Sequence, residues 1–224
     1  MMFLAANPCV SGSSPLGGPL NKTSMILQSH NSWSYRKSKK WWLAPLRFTA
    51  RCQSKSIAEQ YYKYGVKSFD LRVRFNKDNE FVVAHGMMVY DCTKDDILKD
   101  LAFINNVGGC SVRILHEVRN SKQYTRSSLL KFREFCDEIK EKFENIVFYC
   151  GRNLFNWEED YYFDYHPTEL AKYSSVCPPK ILDDWFPWIY ARFHNKKTFK
   201  EGTDAEILAV DFVNIGNSYV SKQV

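Results

Sequence analysis

From Met25 onward the chain alternates between two kinds of hydrophobic pattern. In short runs the apolar side chains recur at every second position, the repeat of a β-strand; in longer runs they recur every three or four, the repeat of a helix. Strands are predicted at 25–30, 68–75, 81–85, 110–118, 146–151 and 206–213. Between them, Ser54–Tyr64 reads as a helix that stops at Gly65, a residue suited to the left-handed turn at a helix end. Thr93 can cap a second helix, with Asp95 and Asp96 in its first turn and Ile97, Leu98, Leu101 and Ile104 as its apolar stripe. A third starts at Ser127 or Ser128 and places Leu129, Phe132, Cys136, Ile139 and Phe143 on one face. The polar link NKDNE between Phe75 and Phe81 is too short for a helical crossover, so those strands meet as a hairpin or join irregularly. Residues 154–205, with their aromatic clusters and prolines, read as mixed helix and loop.

Strands alternating with helices predict an α/β fold around a parallel sheet. A single-domain, distorted (β/α) TIM-like barrel suits the pattern, with a doubly wound sheet as the competitor that periodicity does not separate. Residues 1–24, rich in Gly, Ser and Pro with Lys22 as their one charge, read as a disordered leader, and Met25 is a candidate start of translation. The barrel domain is then 25–224, short against the ~250 residues of a typical (β/α) barrel, so abbreviated or missing helices are expected.

Composition narrows the function classes. With 45% hydrophobic and 25% charged residues, the chain has the balance of a globular protein rather than a disordered one. Its net charge of +6 permits contact with phosphates or an anionic surface, but no nucleic-acid motif accompanies it and no nucleic-acid partner is expected. Seven cysteines, none spaced as CxxC, signal neither a zinc site nor a redox motif and read as reduced thiols of a reducing compartment. No apolar run approaches the ~18 residues of a membrane span, and MMFLAANPCV lacks the basic flank of a signal peptide. A monomer without metal or cofactor is expected.

The chemistry-bearing residues lie along one predicted strand and at the ends of two others. In Phe69–Phe75, alternation puts Asp70, Arg72 and Arg74 on one face and the apolar side chains on the other. This fits a surface strand, or a barrel strand whose charged face looks into the barrel. His30 and His85 each close a predicted strand, and histidines at the carboxyl ends of barrel strands converge on the mouth where such folds place active sites. Two histidines can serve as general base and general acid near neutrality, and an arginine between them matches phosphate oxygens. Asp70 could orient a histidine or hold Arg72.

The ordered runs SHN at 29–31, FDLRVR at 69–74 and AHG at 84–86 resemble the X-type catalytic domain of phosphatidylinositol-specific phospholipases C. The spacing from Asp70 to His85 is similar to that of the smaller bacterial, metal-independent members. The resemblance is firm over Met25 to His85 and looser through 110–119, 146–152 and 207–213. It implies a barrel that cleaves a phospholipid-type or soluble phosphodiester through a cyclic phosphate. His30 would take the proton of an inositol hydroxyl, His85 would protonate the departing diacylglycerol oxygen, and Arg72 would contact the phosphate. Asp211 sits where the family supports the base.

Three departures qualify the resemblance. Asn31 stands where bacterial members usually have Asp; Asn at this place occurs in the calcium-dependent animal enzymes, but Arg72 would repel a cation here. His116-Glu117 lies near the family's inositol-contacting Lys, and alternation lets only one of the two face inward. Arg152 matches the inositol-binding Arg weakly, while Asp184 and Phe186 resemble the family's Asp and ring-stacking aromatic. These weaken inositol specificity more than phosphodiester chemistry, and a catalytically weak relative that binds phosphorylated headgroups is the alternative. The run Tyr35–Trp42, with four Lys or Arg before Trp41 and Trp42, suits peripheral membrane contact; the competing reading packs both tryptophans in the core. The family usually acts outside a cell, so the resemblance points to secretion while the cysteines point to a reducing compartment.

Overall fold

The computed structural model describes residues 25–76, 78–118, 125–150, 163, 165, 167, 170–180 and 183–217. The leader expected over 1–24 and Arg152 lie outside these residues. Six strands form the parallel core of one curled sheet: β1 (Ile26–Ser29), β2 (Ser68–Phe75), β5 (Cys110–His116), β6 (Ile146–Cys150), β7 (Leu170–Lys172) and β8 (Ile207–Val210). Their order is β7-β8-β1-β2-β5-β6. The far half of β2 also pairs antiparallel with β3 (Phe81–His85), which turns back into β4 (Met88–Val89). The expected barrel architecture is therefore present as a half-barrel, and the Phe75–Phe81 link is a hairpin.

Helices α1 (Ile57–Tyr64), α2 (Lys94–Val107) and α3 (Arg126–Lys142) cover the outer face, joined by the one-turn α4 (Tyr173–Val176) and by α5 (Pro187–Glu201). Ser56, Thr93 and Thr125 each close a reciprocal capping box with the third helical residue, satisfying amide donors that the first turn would leave open. The third helix thus begins before Ser127 because Thr125 supplies the cap. The three-residue strand β7 does not register as a strand in the sequence, because it is too short to show a repeat.

Each strand of the barrel serves two environments. On β2, Phe69, Leu71, Val73 and Phe75 pack outward against the apolar stripes of the helices, including Ile97, Leu101 and Ile104 of α2 and Phe132, Cys136 and Ile139 of α3. The inner face is polar. Gln28, Ser68, Ser111 and Tyr149, one from each of β1, β2, β5 and β6, join hydrogen bonds across the barrel floor. Gln28 Nε2 donates to Ser68 Oγ at 2.9 Å, and Ser111 Oγ donates to the same atom at 2.9 Å. Pairing among these groups offsets most of the cost of burying them, with Gln28 Oε1 left unpaired among the described residues. A 3₁₀ turn at Ser32–Tyr35 follows β1, and its buried Trp33 donates to Asp100 Oδ2 of α2 at 2.8 Å. This pins the segment leaving β1 to the helix layer.

Leu101 is fully buried in that layer. Leu101→Ala is expected to lower the unfolding free energy by ~2–5 kcal/mol, the usual range for a truncated core leucine, measured as a shift of the urea midpoint at unchanged slope.

Candidate active site

The next layer above the polar floor carries the charged groups. His30 immediately follows β1, Asp70 and Arg72 lie on the inner face of β2, Arg113 on β5, and Asp211 immediately follows β8. Because β1 pairs with both β2 and β8 in parallel, their carboxyl ends arrive at one mouth. Gln53 holds this junction by donating to the carbonyls of His30 (3.1 Å) and Val210 (2.9 Å). Buried Asn195 of α5 donates to the Asp211 carbonyl at 2.7 Å and anchors the loop after β8.

His30 is held from both sides. Its Nδ1 lies 2.7 Å from Asp211 Oδ1 and its Nε2 lies 2.6 Å from Arg72 Nη2. A carboxylate only accepts and a guanidinium only donates, so Nδ1 carries the proton and Nε2 presents its lone pair to Arg72. Arg72 also donates from Nε to Asp70 Oδ2 at 2.9 Å and faces Glu117 Oε2 at 3.5 Å. Burial opposes its charge, but Asp70 and Glu117 outweigh this and raise its pKa. Asp70 is fully buried; burial alone would raise its carboxyl, yet Arg72 and Arg113 hold it well below the usual range. It also accepts the Asn31 backbone N–H at 2.9 Å. Asn31 takes a left-handed conformation (φ 46°), which Asn tolerates better than most residues.

His85 stands across the mouth, its ring edge-on to that of His30 with centroids 5.9 Å apart. Its Nδ1 lies 3.1 Å from the Ala50 carbonyl, so Nδ1 donates and Nε2 is the atom free to exchange a proton. Burial, then the nearby charge of Arg72, push His85 down to about 4. The turn after it is fixed by Gly86 (φ 56°), whose N–H donates to Glu117 Oε1 at 2.9 Å and whose carbonyl accepts from Arg74 at 3.0 Å. Glu117 thus ties the two histidine-bearing segments together through Arg72 and Gly86.

The remaining candidates fall differently. His116 is on the outer face of β5, its ring stacked on Phe132 of α3 at 4.8 Å; it does not reach the mouth, because alternation gives that side to Arg113 and Glu117. Phe186, just before α5, stacks on Phe48 at 5.6 Å instead of facing His30. The ring beside His30 is Tyr173, at 5.8 Å. Asp184 lies in the 3₁₀ turn Asp183–Trp185. Trp41 and Trp42 open the 3₁₀ helix Trp41–Thr49 and are 84% and 57% exposed, so the core-packing reading of them is overturned. The same surface carries exposed Leu46 and Phe48, and Phe48 reaches the start of α5, where Trp185 and Trp188 are also exposed.

Several site residues carried little sequence signal. Arg113, 4.0 Å from Asp70, could have been found by extending the alternation of β5 inward from Glu117. Lys172 is lowered by partial burial and by the neighbouring Arg113 and Arg72, placing it in the same positive field. Cys52 places its thiol 4.0 Å from His85 Nδ1, and burial, with Asp211 nearby, pushes it well up. No local pattern marks Lys172, Tyr173 or Cys52.

The calcium of the animal enzymes does not fit these residues. The Arg72 guanidinium occupies the space between Asp70 and Glu117 that a hard cation would need. Among the described residues, His30, Cys52 and Asp211 bring three potential metal ligands within 4.8 Å of one another, and two of them, His30 and Asp211, are hydrogen-bonded to each other.

No protein-family model and no curated protein matches the chain. Solved structures do. A variant of the phosphatidylinositol-specific phospholipase C from Staphylococcus aureus matches with a TM-score of 0.56 and 16% identity, covering 86% of this chain and 89% of that one. The phosphatidylinositol-specific phospholipase C from Listeria monocytogenes matches with a TM-score of 0.53 and 11% identity, covering 91% and 94%. At these identities the shared property is the fold, a TIM-like barrel.

The position of His85 has a measurable consequence for stability. Its folded pKa of about 4 lies below the ordinary value, so the unfolded chain binds more protons between the two. Unfolding free energy should fall as pH drops from ~6.5 to ~4, by up to ~3 kcal/mol from this group. Urea titrations should show this slope in the wild type and a flatter one in His85→Gln; equal slopes would reject the assignment.

Proposed function

We propose that the protein is a phosphodiesterase of the phospholipase C type, cleaving a phospholipid-type phosphodiester, with phosphatidylinositol as the foremost candidate, without a metal. The observation that carries this reading is the pair of histidines facing across one mouth, His30 oriented by Asp211 and contacted by Arg72. In the proposed reaction, a phosphodiester oxygen draws Arg72 Nη2 away from His30. His30 Nε2 then takes the proton of a substrate hydroxyl adjacent to the phosphate, and Asp211 stabilises the imidazolium. The alkoxide attacks phosphorus, the bond to the alcohol leaving group breaks, and a cyclic phosphodiester remains. His85 supplies the proton to the departing oxygen from Nε2; an anionic phosphate beside it would raise its pKa and favour the charged form needed. Arg72, with Arg113 and Lys172 behind it, supplies positive field for the phosphoryl oxygens.

The exposed rim supports a lipid substrate. Trp41 and Trp42 stand in solvent beside basic residues, with Lys40 Nζ 5.4 Å from the Trp42 ring; this pairing is favourable at a bilayer surface. One of the matching Staphylococcus aureus phospholipase structures concerns modulation of that enzyme's membrane binding. The alternative, a weakly active relative that binds phosphorylated headgroups, draws on Asn31. Its carboxamide cannot share a proton, and it points instead toward Cys52 and Tyr90.

Turnover of phosphatidylinositol vesicles, with phosphorus NMR of the products, separates these readings. The wild type should release a cyclic inositol phosphate at equal rates with and without EDTA, and His30→Ala should lose roughly 10²–10⁴-fold, the usual contribution of a positioned base. EDTA-sensitive cleavage would overturn the metal-independent mechanism; headgroup binding without turnover would establish the alternative. Replacing Trp41 and Trp42 together by Ala should weaken binding to anionic vesicles by roughly tenfold or more. Unchanged sedimentation with vesicles would reject the membrane contact.

A further inference from the structure

A second cluster of reactive groups lies outside the histidine pair. Cys177 follows α4 and its N–H caps that turn on the Tyr173 carbonyl at 2.8 Å. Its Sγ lies 3.5 Å from Nδ1 of His194 on α5, and His194 Nε2 lies 2.5 Å from Asp183 Oδ2 in the 3₁₀ turn before that helix. The carboxylate only accepts, so Nε2 holds the proton and the Nδ1 lone pair is left for the thiol. The other Asp183 oxygen, Oδ1, is buried without a hydrogen-bond partner among the described residues, and the imidazole is the side chain that this carboxylate meets there. His194 and Asp183 are each 12% exposed at the side chain, while Cys177 is 4% exposed. Nucleophile, base and base-orienting carboxylate thus stand in line, the arrangement that activates a thiol.

We propose that Cys177, His194 and Asp183 form a site of reversible thiol modification, at which small disulfides form a mixed disulfide with Cys177. His194 takes the thiol proton, and the thiolate attacks one sulfur of the disulfide RS–SR. The new Cys177–S–S–R bond forms as the old S–S bond breaks, and the departing RS⁻ collects the proton from His194. A second small thiol reverses the exchange. The site adjoins the candidate active site: the Tyr190 hydroxyl lies within hydrogen-bond reach of the carbonyls of both Cys177 and Tyr173, and the Tyr173 ring stands 5.8 Å from His30.

The test is the rate at which an aromatic disulfide, 5,5′-dithiobis(2-nitrobenzoate), labels the full-length native protein, with peptide mapping to count each cysteine separately. Cys177 should react faster in the native protein than in urea, which burial alone cannot produce, and excess small thiol should remove the label. His194→Gln should slow the native rate at neutral pH by roughly tenfold or more, since an ordinary thiol is only a few per cent ionised there. Asp183→Asn, which leaves the imidazole in place, should slow it less. Circular dichroism checks that each variant folds; where His194→Gln does not, the Asp183→Asn rate and the native-to-urea ratio of the wild type decide. A native Cys177 rate at or below the urea rate, or one unchanged by these substitutions, would overturn the proposal.

Discussion

Arg72 is only 11% exposed, and a guanidinium does not give up its proton, so its charge has to be met where it lies. It is met by Asp70 along one edge and Glu117 at another, while Nη2 turns to His30. The rest of the mouth follows from this. Asp70 stays ionised in full burial because Arg72 and Arg113 flank it, and it then holds the Asn31 amide that shapes the turn after β1. Glu117 carries the same constraint to Gly86 and so to His85. Removing one partner would leave a buried charge unmatched, which is more costly than never having buried the pair.

The same guanidinium explains why the two histidines behave differently. His30 presents its lone pair to Arg72 and its proton to Asp211, so its tautomer is set by partners of fixed role. His85 is held below the ordinary imidazole value by burial first and then by the positive field of Arg72, which outweigh the Ala50 carbonyl that its Nδ1 meets. An anion entering between them would act on both at once, competing for Arg72 and favouring the proton on His85.

Much of this was legible in the order of the residues, and particular elements show why. β2 alternates so regularly that its two faces could be assigned before any coordinates, and the apolar stripes of α2 and α3 are complete in themselves. Strand alternation also required that His116 and Glu117 part company, though not which would face inward; the stack of His116 on Phe132 settles it. The stack of Phe186 on Phe48 was not legible, because an aromatic before a helix has no local signal of direction and its partner is far away in the chain. Trp41 and Trp42 were ambiguous for the same reason: a tryptophan after a basic run suits a core or a rim equally, and only the fold of the neighbouring segment exposes them.

By itself the sequence determined the alternation of strands and helices, the close connection after β2, the shared face of Asp70 and Arg72 within that strand, and the place of His30 and His85 at strand ends, because these depend on periodicities of two and of 3.6 residues. The contact of Asp211 with His30 across 181 residues, which the family resemblance had implied, takes its geometry from the tertiary structure, and tertiary structure alone decided that Arg113, Lys172 and Tyr173 join the mouth and that Cys177 meets His194 and Asp183. Those contacts are made between elements whose relative positions come from the parallel pairing of β1 with β2 and β8 and the packing of α5 behind them. A hydrogen bond is set by distances of a few tenths of an ångström, and no local repeat encodes distance between segments so far apart in the chain.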